Sequence, residues 1–161
     1  MPENTTTRIE AEVNGAPISA EVEASTLLLD FLREELLLTG AKRSCEVQVC
    51  GSCTVLVDGG PVSSCCYLAA DIDGRSVVTI EGVRDEPGFE PYERAFIDHA
   101  AVQCGFCIPG MILTTKSLAD EGELPRDEEG LRDALSGNVC RCTGYRAIID
   151  AVGDIAKAVQ R

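Results

Sequence analysis

The chain has 161 residues, of which 45% are apolar and 25% charged, and its 14 Lys and Arg against 27 Asp and Glu leave a net charge of −13. That balance excludes a disordered, collagen-like or membrane-spanning chain, and so acidic a surface repels phosphate backbones, so no nucleic-acid partner is expected. With no Trp and only 4% aromatics the core must be aliphatic, and nine Cys, an odd number, argue against a closed disulfide framework.

No basic and apolar leader is visible, and no apolar run approaches the roughly 18 residues of a membrane span. The expected compartment is the cytoplasm, where thiols stay reduced and grouped Cys more often bind metal. Asn4-Thr5-Thr6 then reads as a chance glycosylation match.

In chain order, Arg8–Val13 alternates Ile9, Ala11 and Val13 with charged residues, the period of a half-buried strand. Asn14-Gly15 is a hairpin turn, and Ile18, Ala20 and Val22 alternate again beyond it. A helix is predicted from a Ser25 or Thr26 cap through Leu38, with Leu28, Phe31, Leu32 and Leu36 on one face and Gly40 as its stop. A Cys-rich loop follows, then a strand over Thr54–Val57, a turn at Asp58–Pro61 and a strand over Ser76–Ile80. Asp85-Glu86-Pro87-Gly88 and Pro91 break the pattern. Four helices are predicted beyond the break, over Tyr92–Ala101, Met111–Ala119, Asp127–Leu135 and Tyr145–Val159. The fold class is therefore α+β. Its expected parts are a mixed domain at residues 1–83, a linker at 84–92 and a helical domain at 93–161.

The cysteines fall into two quartets. Cys45, Cys50, Cys53 and Cys65 follow C-x4-C-x2-C and then, after eleven residues, a fourth Cys. This is the plant-type ferredoxin spacing for a 2Fe–2S cluster. One loop delivers three thiolates around a small iron–sulfide core, and Gly51 lets backbone pass close to it. Zinc, disulfides and buried free thiols are the competing readings. Cys104, Cys107, Cys140 and Cys142 form C-x2-C and, after thirty-two residues, C-x-C. By spacing alone that set suits either an iron–sulfur cluster or a structural zinc. Cys66 is the ninth, and its plain reading is a small buried hydrophobe. The single His, His99, has no catalytic partner in view. Arg141, Tyr145 and Arg146 read as partner-docking residues or as surface and helix-end residues.

The segments CEVQVCGSCTVLVDGGPVSSC, VQCGFCIPGM and GNVCRCTGYRAIIDAV resemble the iron–sulfur subunit of the molybdenum hydroxylases, the xanthine dehydrogenase, aldehyde oxidoreductase and carbon monoxide dehydrogenase group. The resemblance runs from about Arg8 to Val159. It implies a β-grasp ferredoxin domain followed by a four-helix domain, each with one 2Fe–2S cluster, and so favours iron–sulfur for the second quartet. It also implies an electron-transfer subunit of a multi-subunit oxidoreductase. Electrons would pass from a molybdenum–pterin centre on a large subunit, through the helical-domain cluster and then the ferredoxin-domain cluster. They would reach FAD on a medium subunit or another acceptor, in a hetero-oligomer such as a dimer of heterotrimers. It implies Gln103 and Cys142 beside the pterin; otherwise Gln103 would satisfy helix-end backbone groups. The chain departs from the family pattern where Gln48 replaces an inner Gly, Ser44 precedes Cys45, and Ile108 stands where Thr or Ser is common. If Gln48 needs a positive φ, it costs about 1 kcal/mol relative to glycine.

Overall fold

The computed structural model describes residues 6–159; Asn4 and Thr5 of the sequon lie outside them. Strand β1 (Thr6–Val13) pairs antiparallel with β2 (Ala16–Glu23) across Asn14 and Gly15, whose φ values of 52° and 77° are those the tight hairpin needs. β3 (Thr54–Val57) and β4 (Gly60–Ser63) form a second hairpin through Asp58 and Gly59. β5 (Ser76–Val78) lies between the hairpins, parallel to β1 and antiparallel to β3, giving the order β2-β1-β5-β3-β4. The expected strand over Ser76–Ile80 is thus shorter. It ends where Thr79 N–H donates to the Asn14 side chain at 2.8 Å, and Ile80 opens a helix instead.

The helix that covers this sheet is α1 (Leu28–Asp30), continued by a π-helical turn over Phe31–Glu35. Leu28, Leu29, Phe31 and Leu32 are buried against Ile9, Val13, Val22, Val55 and Val77. Truncating one such Leu to Ala costs about 2–5 kcal/mol. Neither Ser25 nor Thr26 is the cap; Leu27 occupies that position with no side-chain bond. The helical stretch stops at Glu35 rather than Leu38, because Leu37 turns left-handed at φ 57° and Leu38 N–H reaches back to the Leu32 carbonyl. Gly40 serves another purpose: a Cβ there would stand 2.2 Å from the Ile80 side chain.

The second half is helical: α2 (Ile80–Arg84), α3 (Glu90–Asp98), α4 (Ile108–Asp120), α5 (Glu128–Ala134) and α6 (Arg146–Val159). Pro91 and Pro109 sit in the first turns of α3 and α4, where a missing N–H costs nothing. Asp127 caps α5, accepting from Gly130 N–H at 2.9 Å. Helix α6 buries Ile148, Ile149, Val152, Ile155 and Ala156 against Tyr92, Phe96, Met111, Leu131 and Leu135. Val159, expected on that face, is 39% exposed. A small cluster of Leu56, Val83 and Leu113 joins the two halves. Among the described residues no helix is long and apolar enough to cross a membrane.

Candidate metal centres

The chain segment between the π-helical turn and β3 carries no regular structure and holds three of the first four Cys. Its backbone turns left-handed at Glu46 (φ 56°), Gln48 (57°) and Gly51 (66°). Two of these are non-glycine residues, so the loop carries the conformational cost expected at Gln48 and repeats it at Glu46. The turns aim amides inward: Val49 and Cys50 N–H groups each donate to the Cys45 sulfur at 3.4 Å. Bonds from the Val47, Val49 and Cys50 amides hold the Cys45 thiol down at about 6, whereas burial pushes Cys53 up to about 11. Cys65 comes from a short 3-10 turn after β4, buried at 4% exposure.

The second set sits between helices. Cys107 is the N-cap of α4, and its burial pushes the thiol up to about 12. Burial raises Cys140 as well, but the Thr143 hydroxyl and amide and the Cys142 amide bring it below its ordinary value. Its loop is pinned by Tyr145, whose hydroxyl accepts from Cys140 N–H at 2.9 Å and donates to the Asn138 carbonyl at 3.0 Å. Tyr145 is therefore a half-buried loop clasp, not a freely exposed docking residue. Arg146 is tied to Asp150 and Glu128, and Arg141 is exposed.

In the second quartet the Cys104 and Cys142 sulfurs stand 3.5 Å apart, and Cys140 is among the groups that raise Cys107. In the first quartet Cys50 is among the groups that lower Cys45, and Cys65 is among those that shift Cys53, so the thiols of each set act on one another. Two thiolates on one tetrahedral metal with bonds of roughly 2.3 Å lie about 3.8 Å apart. Two such pairs could hold the two irons of one cluster. Among the described residues no three His, Cys, Asp or Glu side chains gather around a point that could hold a single ion. The donor chemistry, all thiol, suits a 2Fe–2S group.

Other expected residues fall as follows. Gln103 and Cys142 are both exposed on the rim of the second quartet, and Gln103's side chain makes no hydrogen bond among the described residues. Cys66 is not buried: it is exposed, with its sulfur 3.7 Å from Cys65 Sγ and 3.8 Å from the Glu46 carbonyl. His99 closes α3 and meets Asp154 of α6 at 2.8 Å, a structural tie. All nine Cys are free thiols. Sequence reasoning missed Val139, whose N–H donates to the Cys50 carbonyl at 2.8 Å and so joins the two thiol loops. It also missed Asn138, buried beside it.

The comparisons agree with this division. Residues 11–77 match the 2Fe-2S iron-sulfur cluster binding domain family, and residues 79–153 match a second 2Fe-2S binding domain family. The chain is 44% identical over 147 residues to the 6-hydroxypseudooxynicotine dehydrogenase complex subunit beta of Paenarthrobacter nicotinovorans, covering 91% of this chain and 92% of that one. It is 42% identical over 158 residues to the xanthine dehydrogenase iron-sulfur-binding subunit of Escherichia coli O157:H7, covering 98% and 99%. It also superposes on a chain of the crystal structure of quinoline 2-oxidoreductase from Pseudomonas putida 86 with a TM-score of 0.89 and 44% identity over 97% of each chain. Two thiol quartets in two successive 2Fe–2S domains, matched end to end by such relatives, mean that the chain belongs to the iron–sulfur subunits of the molybdenum hydroxylases.

Proposed function

We propose that Cys45, Cys50, Cys53 and Cys65 hold one 2Fe–2S cluster, and Cys104, Cys107, Cys140 and Cys142 the other. When bound, these groups take up and pass on single electrons, and the chain serves as the electron-transfer subunit of an oxidoreductase. The first set belongs to a β-grasp domain at 1–83, the second to a four-helix domain at 93–161, with 84–92 between them. The observation that carries this reading is two all-thiol quartets, one with the Cys104 and Cys142 sulfurs 3.5 Å apart, joined by the Val139 N–H on the Cys50 carbonyl at 2.8 Å. That bond gives the two thiol loops a direct bonded path.

The chain's own residues do three things in this reading. Inward amides and Thr143 stabilise thiolates, which a metal needs as ligands. Buried Cys53, Cys65, Cys107 and Cys140 keep water from one side of each site. Exposed Gln103 and Cys142 meet the pterin of a large molybdenum subunit, since an amide offers donor and acceptor to a polar cofactor edge. Electrons enter at the second quartet and leave at the first, toward a medium FAD subunit. The assembly is a cytoplasmic hetero-oligomer such as a dimer of heterotrimers, and substrate chemistry resides on the large subunit.

Metal analysis tests the ligand sets. Two 2Fe–2S domains imply four irons and four acid-labile sulfides per chain; two irons, or stoichiometric zinc, would sink the reading. Gln103→Ala in the assembled enzyme tests the contact. Both clusters should persist while pterin retention or reduction from the molybdenum side weakens, and unchanged kinetics with full cofactor would rule the contact out.

A further inference from the structure

The two thiol loops meet at a buried seam, and one side chain spans it. Asn138 is 3% exposed and stands two residues before Cys140. Its Nδ2 donates to the Gly51 carbonyl at 3.2 Å, inside the first thiol loop, and lies 3.4 Å from the Thr54 hydroxyl. Its Oδ1 accepts from the Thr114 hydroxyl of α4 at 2.9 Å. Its backbone carbonyl accepts from Tyr145, the clasp of the Cys140 loop. The residue therefore bonds the first thiol loop, α4 and the second thiol loop at once.

The surroundings are built for this approach. A Cβ on Gly51 would lie 2.5 Å from Asn138 Nδ2 and 2.3 Å from the Gly137 carbonyl. A Cβ on Gly110 would lie 2.2 Å from the Gly51 carbonyl and 3.2 Å from Asn138 Nδ2. Only glycine at both positions lets the backbones close on the amide. The Thr54 hydroxyl already gives its proton to the Gly51 carbonyl at 2.7 Å, so it faces Asn138 as an acceptor. The site thus requires a donor toward Gly51 and Thr54 and an acceptor toward Thr114, which an amide supplies and a carboxylate does not.

We propose that Asn138 is the positioning residue for electron transfer between the two clusters: it fixes the Gly51 turn against the Cys140 loop and so keeps Val139 N–H on the Cys50 carbonyl. The proposal rests on the ligand sets assigned above. Asn138 touches no thiol; it acts through the geometry of the bonded path, where a small misplacement slows transfer.

The test uses the full chain loaded with both clusters. Asn138→Ala removes the amide's bonds to Gly51, Thr54 and Thr114, and Asn138→Asp keeps the shape but sets an acceptor against acceptors. Iron and sulfide content report loading. Electron paramagnetic resonance of the fully reduced chain reports spin–spin splitting between the clusters, which a merely stabilising residue would leave alone once both are loaded. The expected result is full iron, unchanged signatures of each cluster alone, and loss of the splitting. Unchanged splitting in a fully loaded variant overturns the proposal. Where neither variant loads, Thr114→Val decides, since it removes only the hydroxyl that holds Asn138 Oδ1. Splitting diminished there and restored in Thr114→Ser supports the proposal, and unchanged splitting overturns it. A wild-type chain with an iron count other than the expected four would instead refute the ligand sets, so the two failures are distinct.

Discussion

The two thiol quartets reach similar electrostatics in partly different ways. Three of the first quartet lie on a loop whose backbone turns left-handed at Glu46, Gln48 and Gly51, aiming amides onto the Cys45 sulfur. The second lies between helices. There Cys107 starts α4, and side chains, Thr143 and Tyr145, hold Cys140 and its loop. Each set contains a thiol held low by hydrogen bonds, Cys45 at about 6 and Cys140 below its ordinary value. Each also contains one pushed high by burial, Cys53 at about 11 and Cys107 at about 12. Backbone amides dominate at Cys45, whereas at Cys140 a hydroxyl joins the amides. The first concentrates its cost in a few residues, and the second spreads it over packed helices.

The strongest way to break the comparison is to remove one ligand from each side. Cys65→Ser should lose the first cluster, half the iron, and leave the second; Cys107→Ser should do the reverse. Cys66→Ser should retain both. Iron analysis with absorption spectra checks all three, and a variant that empties both sites would show that the two cannot be treated separately. Next in size is the seam between them. Gly110→Ala should cost about 2–3 kcal/mol through overpacking and lower Tm by roughly 5–10 °C, because its Cβ meets the Gly51 carbonyl at 2.2 Å. Thermal denaturation of the loaded chain measures it, and an unchanged Tm would mean the seam yields easily.

A smaller effect of opposite sign sharpens the strain side of the contrast. Gln48→Gly should stabilise the chain by about 1 kcal/mol, a rise of roughly 2–4 °C in Tm, by relieving φ 57°. Any fall in Tm would show that the loop gains something from the Gln side chain. The smallest effect lies far from either quartet. Lys157 and then His99 hold the Asp154 carboxyl below its ordinary value. A depressed carboxylate stabilises the fold above its unfolded pKa and loses that contribution as pH falls through the folded value. Asp154→Asn should therefore cost no more than about 0.5 kcal/mol at neutral pH, since the pair is half exposed. As pH falls well below the ordinary carboxylate value, the variant and the wild type should converge; a gap that persists once Asp154 is protonated would place the loss in packing rather than charge.

Both quartets, the Asn14-Gly15 hairpin and the α6 stripe were legible because each is a local pattern with a fixed spacing. Leu37 was not. Its left-handed turn follows from a π-helical stretch that no propensity marks, while Gly40 answers to a distant Ile80. Ile80 itself reads as the end of a β run, yet Thr79 is drawn off by Asn14, 65 residues away, and the chain turns helical. Asn138 was invisible for the same reason. Its partner Gly51 lies 87 residues away, and a buried amide looks in sequence like any polar loop residue.

The sheet order β2-β1-β5-β3-β4 sets a timetable for biosynthesis. β5 is the central strand and the last of the sheet to be made. While the chain is being translated, Cys45, Cys50 and Cys53 emerge before Ser76–Val78, the segment that joins the two hairpins. Until β5 is in place, β3 has no neighbour on that side and the two hairpins are not joined into one sheet. Such non-local strand pairing is slow to close. A chain halted before Ser76 therefore carries two separate hairpins, with the loop of Cys45, Cys50 and Cys53 hung between them outside a finished sheet.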